Sequence, residues 1–246
     1  MDTRTLLETA YATPLIRPAY PRNGSRMLNR ETLAIRYRTD ENAARKWVPE
    51  PLKVVDPIVT FEVVHMPDCS GLGNYHESGQ ILEVQFDGLK GGLSHMMYLD
   101  NISGMTAGRE LLGFPKKLGF PSLCLDGDTL VGTLNIGKSR VATATMGYKY
   151  EALDVEAVKS ATEAGNNFLL KIIPHVDGSL RVCELVQYPI ADVVMKGAWS
   201  GPGAVSFEPH ALAPFTELPV LEVLETTHTI MDMSLGLGKV IHDYLR

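Results

Sequence analysis

What most restricts the fold of this chain is its rhythm. Short runs of β-branched and large apolar residues recur roughly every 8–12 residues, each closed by Gly, Asp, Asn or Pro. Thr32–Arg38 alternates polar and apolar side chains, the period-2 pattern of a half-buried strand. Ile58–His65, Ile81–Phe86 and Ser94–Tyr98 read as strands too. Leu123–Leu125, Thr129–Asn135 and Arg140–Met146 suggest a meander turning at Asp126-Gly127-Asp128 and Asn135–Lys138. Phe168–Ile173, Arg181–Gln187, Ile190–Lys196, Ala204–Phe207 and Val220–Met231 return to strand character. So many short strands and so few helices predict a mainly β chain: an antiparallel barrel or sandwich in a single domain over residues 1–246.

The helical signals are few. Asp2 or Thr3 can cap a short helix over Leu6–Tyr11, and Thr39 or Asp40 one over Glu41–Trp47, stopped by Pro49. Thr106–Leu112 predicts a short helix ending near Gly113. Only Asp154–Ala164 is amphipathic, with Val155, Val158, Ala161 and Ala164 on one stripe. Residues 1–25 form an N-terminal arm, extended over 13–25 because Pro14, Pro18 and Pro21 follow closely on one another.

Composition narrows the function classes. A net charge of −6 argues against a nucleic-acid partner. Cys69, Cys124 and Cys183 are odd in number and widely spaced, which suits a reduced, cytoplasmic protein. Met1-Asp2-Thr3-Arg4 has no basic region leading into an apolar core, and no apolar run approaches the roughly 20 residues of a membrane span. No membrane partner is expected. The histidines (65, 76, 95, 175, 210, 228, 242) lack metal-ligand spacing, and Gly71-Leu72-Gly73 lacks the setting of a dinucleotide loop. Met96-Met97 reads as core or pocket wall, and Ser70 and Ser78 have no nucleophile-elbow context.

One stretch stands apart. Glu110-Leu111-Leu112-Gly113-Phe114-Pro115-Lys116-Lys117-Leu118-Gly119-Phe120-Pro121 sets two adjacent ammonium groups among Leu, Phe, Gly and Pro. Paired lysines are ordinarily solvated, their stems on apolar surface and their heads in water. Here the neighbours are those of a buried wall, where a lysine holds its proton poorly. Glu-Leu-x-x-Phe-Pro-Lys-Lys-Leu-Gly resembles the signature of the acetoacetate decarboxylase family. Further blocks resemble the family in family order: Leu28-Asn29-Arg30-Glu31, Val48-Pro49-Glu50-Pro51-Leu52, Ser70-Gly71-Leu72-Gly73, Glu77-Ser78-Gly79-Gln80 and His95–Asp100. Asp128–Leu134, Val141–Lys149 and Leu170–Pro174 complete the series, so the resemblance covers nearly the whole chain.

The resemblance implies decarboxylation of acetoacetate, a small β-keto acid, through a lysine Schiff base on a barrel-like β fold assembled into a large homo-oligomer. A family relative of this type can instead run as an aldolase-dehydratase on a keto acid and an aldehyde. No metal or organic cofactor is implied, because the amine itself becomes the electron sink. Carried over by motif, Lys116 is the nucleophile and Lys117 its auxiliary. Glu62 and Glu77 serve proton transfer, and Arg30 pairs with Glu77. Read blind, Glu62 in Phe61-Glu62-Val63 would be a solvent-facing strand residue, Glu77 a solvated turn residue and Arg30 a surface charge. The family can carry tyrosine where this chain has Phe114.

The attacking amine must be neutral near pH 7, although free lysine titrates near 10.4; about three units, or roughly 4–5 kcal/mol, must be found. An ammonium about 6 Å away at an effective dielectric of about 20 supplies roughly 2.8 kcal/mol. Neighbours in a strand point apart, so Lys117 is expected to supply less. Desolvation by Phe114, Leu118, Met97 and similar residues is expected to supply much of the rest, and acetoacetate decarboxylases are themselves the standard illustration of such an activated lysine.

Overall fold

The computed structural model describes residues 1–246. Helix α1 (Thr3–Thr9) leads through residues 10–24, which form no regular element, to β1 (Ser25–Arg38), α2 (Glu41–Arg45), β2 (Lys53–Cys69), β3 (Gly73–Phe86) and β4 (Leu89–Leu99). Then come α3 (Ile102–Ala107), a π-helical turn (Gly108–Leu112), β5 (Lys116–Leu118), β6 (Phe120–Asp126), β7 (Thr129–Ile136), β8 (Ser139–Gly147) and β9 (Glu151–Ala152). The chain finishes with α4 (Val155–Ala164), β10 (Asn166–Pro174), β11 (Leu180–Tyr188), β12 (Ile190–Ser200), β13 (Gly203–Phe207), a 3-10 turn (Phe215–Glu217), β14 (Glu222–Leu235) and β15 (Lys239–Asp243).

The strands form two sheets. The larger runs β15-β11-β10-β4-β3-β2-β1-β14-β12-β9, with β5 paired to β4; the smaller runs β13-β8-β7-β6. Neither path closes on itself, so the pairing shows two sheets rather than the closed ring that a barrel-like reading suggests. Pairing is antiparallel except for β10 on β4 and β5 on β4, which are parallel. The main core lies between the sheets, where Leu33, Ile35, Phe61 and Val63 of the large sheet meet Leu134, Val141, Ala144 and Met146 of the small one. Period 2 then decides the other face. With Phe61 and Val63 in the core, Glu62, Val64 and Met66 must turn away from it, toward a second layer of smaller apolar clusters.

Several strands extend past the expected runs. β1 begins at Ser25 rather than Thr32, β3 at Gly73 rather than Ile81, and β5, β9 and β15 were not expected at all. The reason is chemical: Arg30 and Glu77 sit at inward-facing positions of β1 and β3, and a charged inward residue erases the apolar alternation by which a strand is recognised. Helix boundaries shift as well. α1 starts at Thr3 because Asp2 accepts a hydrogen bond from the Thr5 amide at 2.8 Å. Asp40, not Thr39, caps α2. Asn101 caps α3 through the Gly104 amide at 2.7 Å, so the helix starts at Ile102, four residues before the expected Thr106. The end near Gly113 is observed, and Gly113 takes φ +90°, a backbone that glycine alone adopts freely. Asp154 caps α4 through the Glu156 and Ala157 amides. No helix is long and apolar enough to cross a membrane.

Candidate active site

A cavity of about 340 Å³ opens on the face of the large sheet that looks away from the main core. Register assembles its polar floor. Glu62 on β2 lies opposite Gly79 on β3, Gly79 opposite Met97 on β4, and Met97 opposite Lys116 on β5. Glu77, two residues before Gly79, therefore projects from the same face of β3. On β1, a bulge between Met27 and Arg30, with Asn29 at φ +54°, brings Met27 and Arg30 into one lining. Four of the five residues singled out in the sequence thus line one cavity: Arg30, Glu62, Glu77 and Lys116.

Lys116 is 6% exposed and Glu77 4%. The Lys116 Nζ donates to Glu77 Oε1 and also lies 3.4 Å from the Gly104 carbonyl and 5.0 Å from the centre of the Phe114 ring. Its backbone is held by the Arg109 guanidinium, which donates to the Lys116 carbonyl at 3.0 Å. Gly108 makes room for the side chain, because a Cβ there would stand 2.7 Å from Lys116 Cδ and 2.9 Å from Cε. The lysine is packed, aimed and paired.

Arg30 does not pair with Glu77, as the sequence had suggested. Its Nη2 lies 3.6 Å from Glu62 Oε2, and its Nη1 donates to the Thr32 hydroxyl at 2.6 Å. The polar floor is therefore two charge pairs side by side, Arg30–Glu62 and Lys116–Glu77. Burial pushes the Glu62 carboxyl above its ordinary range; Arg30 pulls it back and the charge of Glu77 pushes it further up. The net direction favours the protonated form of the Glu62 carboxyl.

Lys117 is outside this site. β5 alternates, so its side chain leaves the opposite face, is exposed, donates to the Leu212 carbonyl at 2.6 Å and lies 5.6 Å from the Tyr98 ring centre. A second ammonium acting across a short gap on Lys116 is not what this geometry provides.

Sequence reasoning missed other lining groups. Ser94 and Tyr188 bring hydroxyls, and burial pushes the Tyr188 phenol well above its usual range, with Glu62 adding to the effect. Burial does the same to Tyr75. Gly104 and Gly108 had a legible signal: small residues four apart on one helical face mark a close approach, here by Lys116. Ser94, Tyr75 and Tyr188 carried none, being ordinary residues of ordinary-looking strands. No three His, Cys, Asp or Glu side chains are grouped as a metal site requires.

The sequence model of the family described as acetoacetate decarboxylase matches residues 12–245. Acetoacetate decarboxylase 2 of Mesorhizobium japonicum is 55% identical over 245 residues, covering 100% of this chain and 94% of its own length. A solved structure titled as structural studies of acetoacetate decarboxylase superposes with a TM-score of 0.96 at 50% identity, covering all of both chains. The acetoacetate decarboxylase of Legionella pneumophila gives 0.94 at 39% identity, over 100% of this chain and 98% of that one.

Proposed function

The chain belongs to the acetoacetate decarboxylase family, and from that premise we propose that it decarboxylates acetoacetate to acetone and CO2 through a Schiff base on Lys116. The observation that carries the assignment of residues is the buried Lys116 Nζ, seated on Glu77 among apolar walls. Glu77 takes the proton of the ammonium and frees the amine to attack the ketone carbon. Glu62, whose carboxyl burial shifts upward, delivers the proton that lets water leave. The iminium then draws in the electron pair released when the carbon–carboxylate bond breaks. The enamine carbon is protonated, and water restores ketone and amine. Arg30 is the other cation lining the cavity; it orients Glu62 and gives the entering carboxylate its counter-charge. The conjunction of Arg30, Glu62 and Glu77 around the amine favours decarboxylation over aldol chemistry.

Lys117 acts in this reading as a positioning residue. Its bond to the Leu212 carbonyl pins the outer face of β5 and so fixes where Lys116 points. We further propose a cytoplasmic homo-oligomer. The exposed Leu118, Phe120 and Leu125 on β5 and β6 support an association surface, and size-exclusion chromatography tests it. The activity itself is tested by running the reaction in ¹⁸O-labelled water. A Schiff base replaces the ketone oxygen in every turnover, so acetone formed at early times should carry solvent oxygen. Acetone retaining the substrate oxygen would contradict the mechanism.

A further inference from the structure

The cavity is larger than its polar floor requires. A four-carbon keto acid, with its three oxygens, fills about the volume of five waters, roughly 150 Å³ at about 30 Å³ each, whereas the cavity holds about 340 Å³. Much of the remainder is apolar, beside the polar Asn23, Ser25, Thr162 and Asn167. Two of the three hydrophobic clusters meet across it. One brings Met27, Met66, Met231 and Met233, the other Phe114 and Leu112, and Ile190 and Leu235 pack against both. Methionine side chains are unbranched and adapt to ligands of different shape. The lining continues past Leu235 through Gly236 to the exposed Leu237 and to Gly24 of the N-terminal arm, so the apolar path runs from the buried amine toward the surface.

From this we infer that the cavity takes straight-chain 3-oxo acids of six to eight carbons as substrates, with Ile190 and Leu235 as the residues that set the accepted chain length. The inference rests on the decarboxylase reading above. The ketone carbon must meet Lys116 and the carboxylate its counter-charge, which leaves the alkyl group as the one part of the substrate free to occupy the apolar space. Each added methylene takes up roughly one water's share of volume, so four more fit within the unfilled remainder. The balance is that of the smaller substrate: R–CO–CH2–COO⁻ and one proton give R–CO–CH3 and CO2. The bond to the carboxylate breaks, its electron pair passes through the iminium to the enamine carbon, and that carbon takes the proton.

The test is steady-state kinetics on acetoacetate, 3-oxohexanoate and 3-oxooctanoate, each corrected for spontaneous decarboxylation. We expect KM to fall with chain length, by up to about fourfold per methylene, and kcat/KM for the longer acids to equal or exceed that for acetoacetate. Ile190→Trp, which narrows the path between the two clusters, should lower the ratio of 3-oxooctanoate to acetoacetate kcat/KM by about tenfold or more. A wild-type kcat/KM that drops more than tenfold for each two added carbons, with acetoacetate still turned over, overturns the inference and leaves the decarboxylase reading intact. So does an Ile190→Trp protein, folded by circular dichroism, whose ratio is unchanged. Failure on all three acids counts against the decarboxylase reading itself.

Discussion

The two faces of β5 carry the same functional group into different surroundings. On one, the Lys116 ammonium is buried, paired with Glu77 and packed beside Phe114. On the other, one residue along, Lys117 is exposed and tied to a backbone carbonyl beside Tyr98. Adjacent residues of a strand are about as divergent as two side chains can be. Two charges written together therefore need not feel each other. What acts on Lys116 is what the neighbouring strands bring: the carboxylate from β3 and the apolar wall.

The comparison is most exposed at Lys116 itself. Lys116→Ala should lower kcat for acetoacetate by about 10³-fold or more, because no other amine lines the cavity. Glu77→Gln should cost about 10²- to 10³-fold in kcat, since the amide can hold the lysine but cannot take its proton; a loss below tenfold would place the base elsewhere.

His95 is a second base in dry surroundings, but outside the cavity lining and beside Trp47 at the main core. His95 on β4 has both ring nitrogens buried without a partner, against the Trp47 ring at 5.2 Å. Burial alone pulls its imidazole from 6.5 down to about 4. Between these values the unfolded chain takes up a proton that the folded chain refuses, so stability is lost as pH falls from about 6.5 to about 4, by up to about 3 kcal/mol. His95→Phe should flatten that part of the urea-unfolding profile; an unchanged slope would mean that the acid sensitivity comes from other groups.

The smallest effects belong to the outer face. Lys117→Met should reduce kcat/KM by about tenfold, the worth of one charge-assisted hydrogen bond to the Leu212 carbonyl. Lys117→Arg, which can still donate, should lose less than about threefold. Equal losses in both variants would deny the anchoring role.

How far the sequence reached depends on what each residue shows its neighbours. The Lys116 stretch was legible because its burial is written in the flanking Leu, Phe, Gly and Pro. The alternation of Glu62 with Phe61 and Val63 suggested a solvent face, and only the family resemblance placed it in the site; its partner was hidden too, because the bulge at Asn29 turns Arg30 toward Glu62 and a bulge leaves little trace in composition. The start of β3 was hidden because Asn74, His76, Glu77 and Ser78 look like a turn until the cavity across from Val64 and Met66 is known. Closure was the least legible feature. Strand count and spacing suit both a ring and two packed sheets, and the two parallel pairings to β4 depend on contacts distant in sequence.

The central claim is that one buried amine forms the covalent intermediate, and borohydride reduction during turnover tests it most directly. With acetoacetate present, the account predicts irreversible loss of activity and one isopropyl group, left by the reduced acetone imine, on a peptide containing Lys116, with Lys117 unmodified. An adduct on Lys117, or full activity with Lys116 unlabelled, would contradict it.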